Sequence, residues 1–221
     1  MKLSKLSRSI CIVLGMTALL ATAPNLQAKP EPSAVTDKVS AIEEQVIQWR
    51  HHFHANPELS NREFETAAYI AKYLTSLGLQ VQTGIAKTGV VGLLDTGKPG
   101  PVVALRADID GLPVLEENDL PYKSTKRGMF NGKDVPVMHA CGHDTHIAML
   151  MGAAKILTDM QDELVGQVKF IFQPAEEGSP EGEVGGAEIM VQEGVLKNPD
   201  VDAIFGLHIS AAEPVGTVLW R

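Results

Sequence analysis

Between positions 139 and 146 the chain reads His139-Ala140-Cys141-Gly142-His143-Asp144-Thr145-His146, three imidazoles, a thiol and a carboxylate in eight residues. Deprotonated, these side chains share the ability to donate a lone pair to a transition metal. Cys141 and His143 are two apart, and in an extended segment such residues project to one side, so both could converge on one ion or on a close pair. His139 and His146 are surplus candidates, with a structural histidine as the alternative role for each. Asp144 could cap the first amides of a helix beginning near Thr145, or accept a hydrogen bond from a ligand imidazole.

Further candidates follow short apolar runs. Glu176-Glu177, inside Gln173-Pro174-Ala175-Glu176-Glu177-Gly178, offers two carboxylates. Adjacent side chains rarely face one point, so a division of labour is expected, one binding metal and the other taking a proton from water. An isolated Glu-Glu pair would be an exposed acidic turn. Here it follows an apolar strand and shares the chain with a ligand cluster, which favours chemistry. His208 should close a buried strand, a place where a lone histidine is ordinarily structural. Asp108 and Asp110 sit in Arg106-Ala107-Asp108-Ile109-Asp110-Gly111, where either could orient a ligand histidine and Arg106 could be their ion-pair partner. His51, His52 and His54 fall at a helix end, where positive charge is favoured, and carry no assigned chemistry.

Other templates are missing from the sequence. It contains no His-Glu-x-x-His helix, no phosphate loop, no Gly-x-Ser-x-Gly elbow and no Cys-x-x-Cys pair. The zinc deaminase signature needs more cysteines than this chain has.

The elements that must hold these residues alternate in type. Val39, Ile42, Val46, Trp49 and Phe53 recur at helical spacing up to Asn56-Pro57. A second helix is expected over 61–77, stopped by Gly78. Runs 89–94, 102–105, 167–172 and 203–207 read as buried strands, and 217–220 could begin another. Helices are expected over 147–157 and 187–193, with 115–136 as polar loop. Alternating strands and helices point to an α/β layered sheet. Asp108, Glu176 and His208 each follow a strand, and ligand sites of open α/β sheets collect beyond the carboxyl ends of strands.

The first 28 residues stand apart. Lys2, Lys5 and Arg8 precede an apolar run from Ile10 to Leu20, then small and polar residues up to Ala28. That is the layout of an export signal cleaved after Ala28, and the run is shorter than the ~20 residues of a membrane span. Residues 29–36 then form a flexible leader. Without 1–28 the chain carries 16 basic against 27 acidic residues, which argues against nucleic acid or stable association with an anionic membrane. Cys11 leaves with the signal, so Cys141 has no disulfide partner within the chain and must be buried, reactive or metal-bound.

Taken in order, Leu105–Pro113, His139–Asp144, Gln173–Gly178 and Phe205–His208 resemble the aminoacylase/carboxypeptidase metallopeptidase family, closest to its hippurate hydrolase and indole-acetyl-amino-acid amidohydrolase branch. Arg50–Ser60 is similar to the end of that branch's N-terminal helix. The resemblance implies a phosphorylase/aminopeptidase-like zinc-hydrolase catalytic domain with helices on both faces of its sheet. It implies two divalent metal ions, zinc or manganese, held by Cys141, His143, Glu177 and His208, with Glu176 as general base. The implied substrate is a small N-acyl amino acid or related conjugate, cleaved at its amide by an activated water. Family members continue into a lid or dimerisation domain, form homo-oligomers, and return to supply a last metal-binding histidine. Residues 29–221 are therefore expected to be the N-terminal part of a catalytic domain, incomplete at its C-terminus. A non-catalytic metal- or partner-binding fragment is the alternative.

Overall fold

The computed structural model describes residues 32–219, so the expected signal, 1–28, lies outside the described residues. Helix α1 (Pro32–Ala55) turns Trp49 and Phe53 inward and ends before Asn56-Pro57, where proline lacks the amide hydrogen that would continue the ladder. Helix α2 (Phe64–Ser76) starts three residues later than expected. Its leading amides are satisfied from a distance, because the Glu58 carboxylate accepts from the N–H groups of Glu65 and Thr66 at 3.2 and 2.8 Å. Gly78, at φ +84°, closes it as the spacing predicted.

The strands follow as β1 (Gln80–Ile85), β2 (Gly89–Asp95), β3 (Val102–Asp108), β4 (Arg127–Phe130) and β5 (Lys133–Pro136). Helix α3 (His143–Asp159), β6 (Gln167–Gln173), α4 (Gly186–Gln192) and β7 (Ala203–Gly206) complete the order. Five strands form one mixed sheet, β1-β2-β6-β3-β7, in which β3 runs parallel to both β6 and β7. Period-2 alternation divides its side chains between two cores. Val90, Leu94, Ala107, Phe170 and Phe172 face Phe53, Ile70, Leu74, Ile147 and Met151 of the first three helices. Val91, Ala104 and Ile171 face Met190 of α4 and Val195 on the other side. Phe170 and Phe172 are fully buried, and each such side chain contributes roughly 1.5–3 kcal/mol. The expected α/β sheet with helices on both faces is what the chain forms.

Several local expectations fail for identifiable reasons. β1 is an edge strand of mostly exposed side chains, so it carries no apolar alternation to read. The expected loop 115–136 contains the β4–β5 hairpin, whose tip, Asn131-Gly132, has both φ angles positive as a tight hairpin turn requires. β7 pairs only with β3 among the described residues, so Ile204 and Phe205 are exposed and the strand before His208 is not buried. Residues 217–219 form no strand, and Trp220 lies outside the described residues.

Two buried ionisable groups fix the helices against the site. At the end of α1, His54 Nδ1 lies 2.9 Å from Asp144 Oδ2 and its Nε2 2.8 Å from Glu116 Oε1, while Arg50 Nε reaches Asp144 Oδ2 at 3.1 Å. A ring flanked by carboxylates at both nitrogens is held as the cation. The hydrogen bond to Asp144 raises the His54 pKa above its ordinary 6.5, against the effect of burial. Burial pushes Asp144 and Glu116 upward, but their contacts with His54 dominate and both end lower than usual. Just before α2, Glu63 is buried and accepts from the Thr88 hydroxyl (2.6 Å) and the Ala175 amide (2.9 Å), tying the turn after β6 to the start of α2. Burial lifts its carboxyl to about 7 despite those bonds.

The raised pKa values of His54 and Glu63 have opposite molecular origins, but each makes the fold less stable as pH rises between the group's ordinary and raised values. The His54 contribution is fully present below its ordinary pKa and is lost as pH rises through its raised one. The Asp144 and Glu116 contributions are lost only as pH falls through their lowered values. In urea unfolding, His54→Gln is therefore expected to cost most between about pH 4.5 and 6.5, and progressively less above it. For Glu63, the folded state binds a proton that the unfolded chain releases between pH 4.5 and about 7, so its ionisation destabilises the fold above that window. Glu63→Gln should match the wild-type stability near pH 4.5 and exceed it at pH 8, by on the order of 1–3 kcal/mol.

Candidate metal centre

The carboxyl ends of β3, β6 and β7 lie side by side, and the segments leaving them meet the start of α3. Gly142 makes the entry to that helix possible. Its φ is +93°, and a Cβ there would meet Ile209 Cδ1 at 2.3 Å. His143 is the first residue of α3, so Cys141 and His143 are not set side by side by an extended segment as expected. A left-handed glycine turns the chain between them.

His143 is fully buried. Its Nδ1–H donates to the Asp110 carbonyl at 2.8 Å, with Asp110 Oδ1 at 3.2 Å, and Nε2 has no hydrogen-bond partner. Burial lowers the His143 pKa, but the bond to Asp110 and the neighbouring carboxylates outweigh it and raise it. Around Nε2 lie Glu176 Oε2 at 3.5 Å, Glu177 Oε1 at 3.6 Å and Asp108 Oδ1 at 3.6 Å. The two adjacent glutamates thus converge on one nitrogen instead of diverging. Ala175, at φ +49°, and the Glu177 amide bonded to Asp110 Oδ2 (3.0 Å) bend the backbone to allow it. On the outer side, Cys141 Sγ faces His208 Nε2 at 3.4 Å, and His208 Nδ1–H donates to the Ile209 carbonyl at 2.5 Å.

The remaining candidates separate. Asp108 accepts from Arg106 Nη1 (2.6 Å) and from His146 Nδ1 (2.6 Å), as an orienting carboxylate should. His139 is buried with neither nitrogen hydrogen-bonded, and belongs to none of the donor groups. Asp144 does not cap α3, whose N-terminus has no side-chain cap, because its carboxylate is turned inward to Arg50 and His54. The chain's first helix thereby supports the cluster through residues to which the sequence reading gave no role: Arg50, His54 and, in the following turn, Ser60, whose hydroxyl donates to Asp110 Oδ2 at 2.7 Å. Glu63 and Glu116 were likewise missed. The crowding of Arg50, His51, His52 and His54 was the visible signal, but its distant partners were not.

The charges around these donors are unbalanced. Burial pushes Asp108 upward, yet the hydrogen bond from His146 and the charges of His143 and Arg106 hold it at about 2. Burial, followed by Glu177 and Glu176, drives the Cys141 thiol up to about 11. The carboxylates that oppose the thiolate are the groups a cation would neutralise. Donor atoms of Cys141, His143 and His208 lie within 4.8 Å of one another, as do those of His143, Glu176 and Glu177 and those of Asp108, His143 and His146. With the unpartnered Nε2 of His143 shared by all three groups, the residues present fit divalent metal ions.

Comparisons with known proteins identify the family. Residues 104–219 match the model of Peptidase family M20/M25/M40. An N-acetyl-L-cysteine deacetylase of Bacillus subtilis is 43% identical over 193 residues, 87% of this chain and 42% of the relative. An IAA-amino acid hydrolase ILR1-like 2 of Arabidopsis thaliana is 46% identical over 176 residues, 80% of this chain and 36% of the relative. Among solved structures, the Bacillus subtilis YXEP protein, a dinuclear metal binding peptidase from the M20 family, superposes with a TM-score of 0.69 at 39% identity. That match covers 80% of this chain and 46% of the other. The chain spans less than half the length of the curated relatives it matches. Covering most of β3, all of β6 and β7 and the turns that carry the donors, the match makes this chain a member of Peptidase family M20/M25/M40.

Proposed function

We propose that this chain carries the metal-binding part of an exported amidohydrolase that cleaves the amide of small N-acyl amino acids or related conjugates. The observation that carries the reading is His143 Nε2, a buried nitrogen with no hydrogen-bond partner, facing the Glu176 and Glu177 carboxylates at 3.5 and 3.6 Å. A closed structural site would bury all of its donors, whereas here the Glu176 side chain is 37% accessible and His208 is exposed. The names of the relatives, a deacetylase of an N-acetyl amino acid and a hydrolase of amino acid conjugates, support the substrate class.

In this reading Cys141, His143, Glu177 and His208 hold two divalent ions, and the thiolate favours zinc over manganese by softness. Ions bound there supply Lewis acidity to an amide carbonyl and lower the pKa of water. The chain's own residues do the rest. Asp110 holds the Nδ1–H of His143, so Nε2 is the nitrogen turned toward the Glu176 and Glu177 carboxylates and the one a metal would take once its proton is displaced. Glu177 is held by its own amide on Asp110 Oδ2. Glu176, beside it and open to solvent, takes the proton of the attacking water and returns it to the departing nitrogen. Export rests on the basic, apolar and small-residue layout of 1–28.

Zinc added to the chain is expected to bind, and Cys141→Ala and His143→Ala should each weaken it at least tenfold in a chelator competition. Glu176→Gln should retain zinc and lose roughly 10²–10⁴-fold in release of amino acid from an N-acyl amino acid. Unchanged turnover in that variant removes the base assignment. Unchanged affinity in both ligand variants places the metal elsewhere.

A further inference from the structure

His146 has a donor atom within reach of Asp108 and His143, the arrangement of a metal ligand, but its hydrogen bonds point to another role. Both of its nitrogens are committed. Nδ1–H donates to Asp108 Oδ1 at 2.6 Å, and Nε2 accepts the backbone N–H of Ile209 at 3.0 Å. A carboxylate on one side and an amide hydrogen on the other leave only the neutral, Nδ1-protonated tautomer. In that tautomer neither nitrogen has a lone pair to spare. His143 and His208, by contrast, both spend Nδ1–H on a carbonyl and keep Nε2 for the centre.

We propose that His146 is a positioning residue that holds His208 over the metal centre through the Ile209 amide, and that it is not itself a ligand. The inference rests on the metal-centre reading given above. The ring is a rigid spacer with a fixed base. Asp108 is gripped by Arg106 Nη1, and the same guanidinium donates through Nε to Gln173 Oε1 at 2.9 Å. Gln173 ends β6 and leads into Glu176-Glu177, so the chain Gln173–Arg106–Asp108–His146 spans the ends of β6, β3 and α3. Its free end is the Nε2 lone pair aimed at Ile209. What it holds needs holding: β7 is four residues long, and 207–219 are exposed and without regular structure. Seating the amide next to His208 brings the His208 ring to 4.9 Å from that of His146 and its Nε2 to Cys141.

Zinc affinity and amide exchange test this separately. In chelator competition, His146→Ala should weaken zinc binding about 10–100-fold. His146→Gln, whose side-chain oxygen can accept the Ile209 amide, should recover most of the loss. In a His208→Ala background, His146→Ala should cost nothing further, because it acts only through His208. A full additional loss there makes His146 a ligand and overturns the proposal. Without metal, hydrogen exchange at the Ile209 amide should be slow in wild type and His146→Gln and fast in His146→Ala. Equal exchange in all three also overturns it. Nitrogen-15 shifts of wild-type His146 need no substitution, and an Nε2-protonated ring would be fatal. If the amide and tautomer results hold while wild type takes up no zinc, the metal-centre reading fails and the positioning of the 208–209 segment stands.

Discussion

A single buried imidazole with its proton fixed on one side constrains the rest of this structure. Because His143 donates Nδ1–H to a main-chain carbonyl, its other nitrogen is turned into the interior without a hydrogen-bond partner. Three carboxylates crowd that nitrogen within 3.6 Å. The Glu176 and Glu177 oxygens lie within 4.8 Å of each other, where like charges repel by roughly 3 kcal/mol or more at an effective dielectric of 20. A fold that gathers them needs either protons or a cation there, and much of the surrounding structure consists of devices that keep the donors from relaxing apart.

Those devices are mostly hydrogen bonds from backbone amides to side-chain acceptors. Asp110 holds the Glu177 amide, Glu63 holds the Ala175 amide, and His146 holds the Ile209 amide. Each pins a turn that leaves a strand and carries a donor, so donors on irregular backbone inherit the rigidity of the sheet. The α1–α2 region contributes to this as much as the strands do. Ser60 and Glu63 reach the turn after β6 directly or through Asp110, and Arg50 and His54 fix Asp144 at the opening of α3. The cost is ionisable groups in low-dielectric surroundings, which is why the fold couples to pH through His54 and Glu63.

Legibility in the sequence followed the length scale of each feature. β2, β3 and β6 were readable because they are apolar runs bounded by Gly and Pro, and a strand buried on both faces needs such composition. β1 was not, since an edge strand with polar side chains resembles a loop. The β4–β5 hairpin was signalled by Asn131-Gly132 but lay in a stretch too polar to suggest strands. Cys141 and His143 were marked by residue type and crowding, Glu177 and His208 also by their places after strands, and the structure draws their donor atoms into overlapping groups. Their support was invisible: nothing local links His54 to Glu116, Ser60 to Asp110 or Glu63 to Ala175.

Sequence by itself determined the donor chemistry, the alternation of strand and helix, and the family, because side-chain type and hydrophobic period are local properties. Tertiary structure alone decided which histidines keep a free lone pair. His139, His143 and His146 are equally able to ligate as residues. What separates them is the pair of partners at the two ring nitrogens: none for His139, a carbonyl at Nδ1 alone for His143, and a carboxylate at Nδ1 with the Ile209 amide at Nε2 for His146. A tautomer is set by groups that arrive from distant parts of the chain, and no spacing within eight residues encodes it.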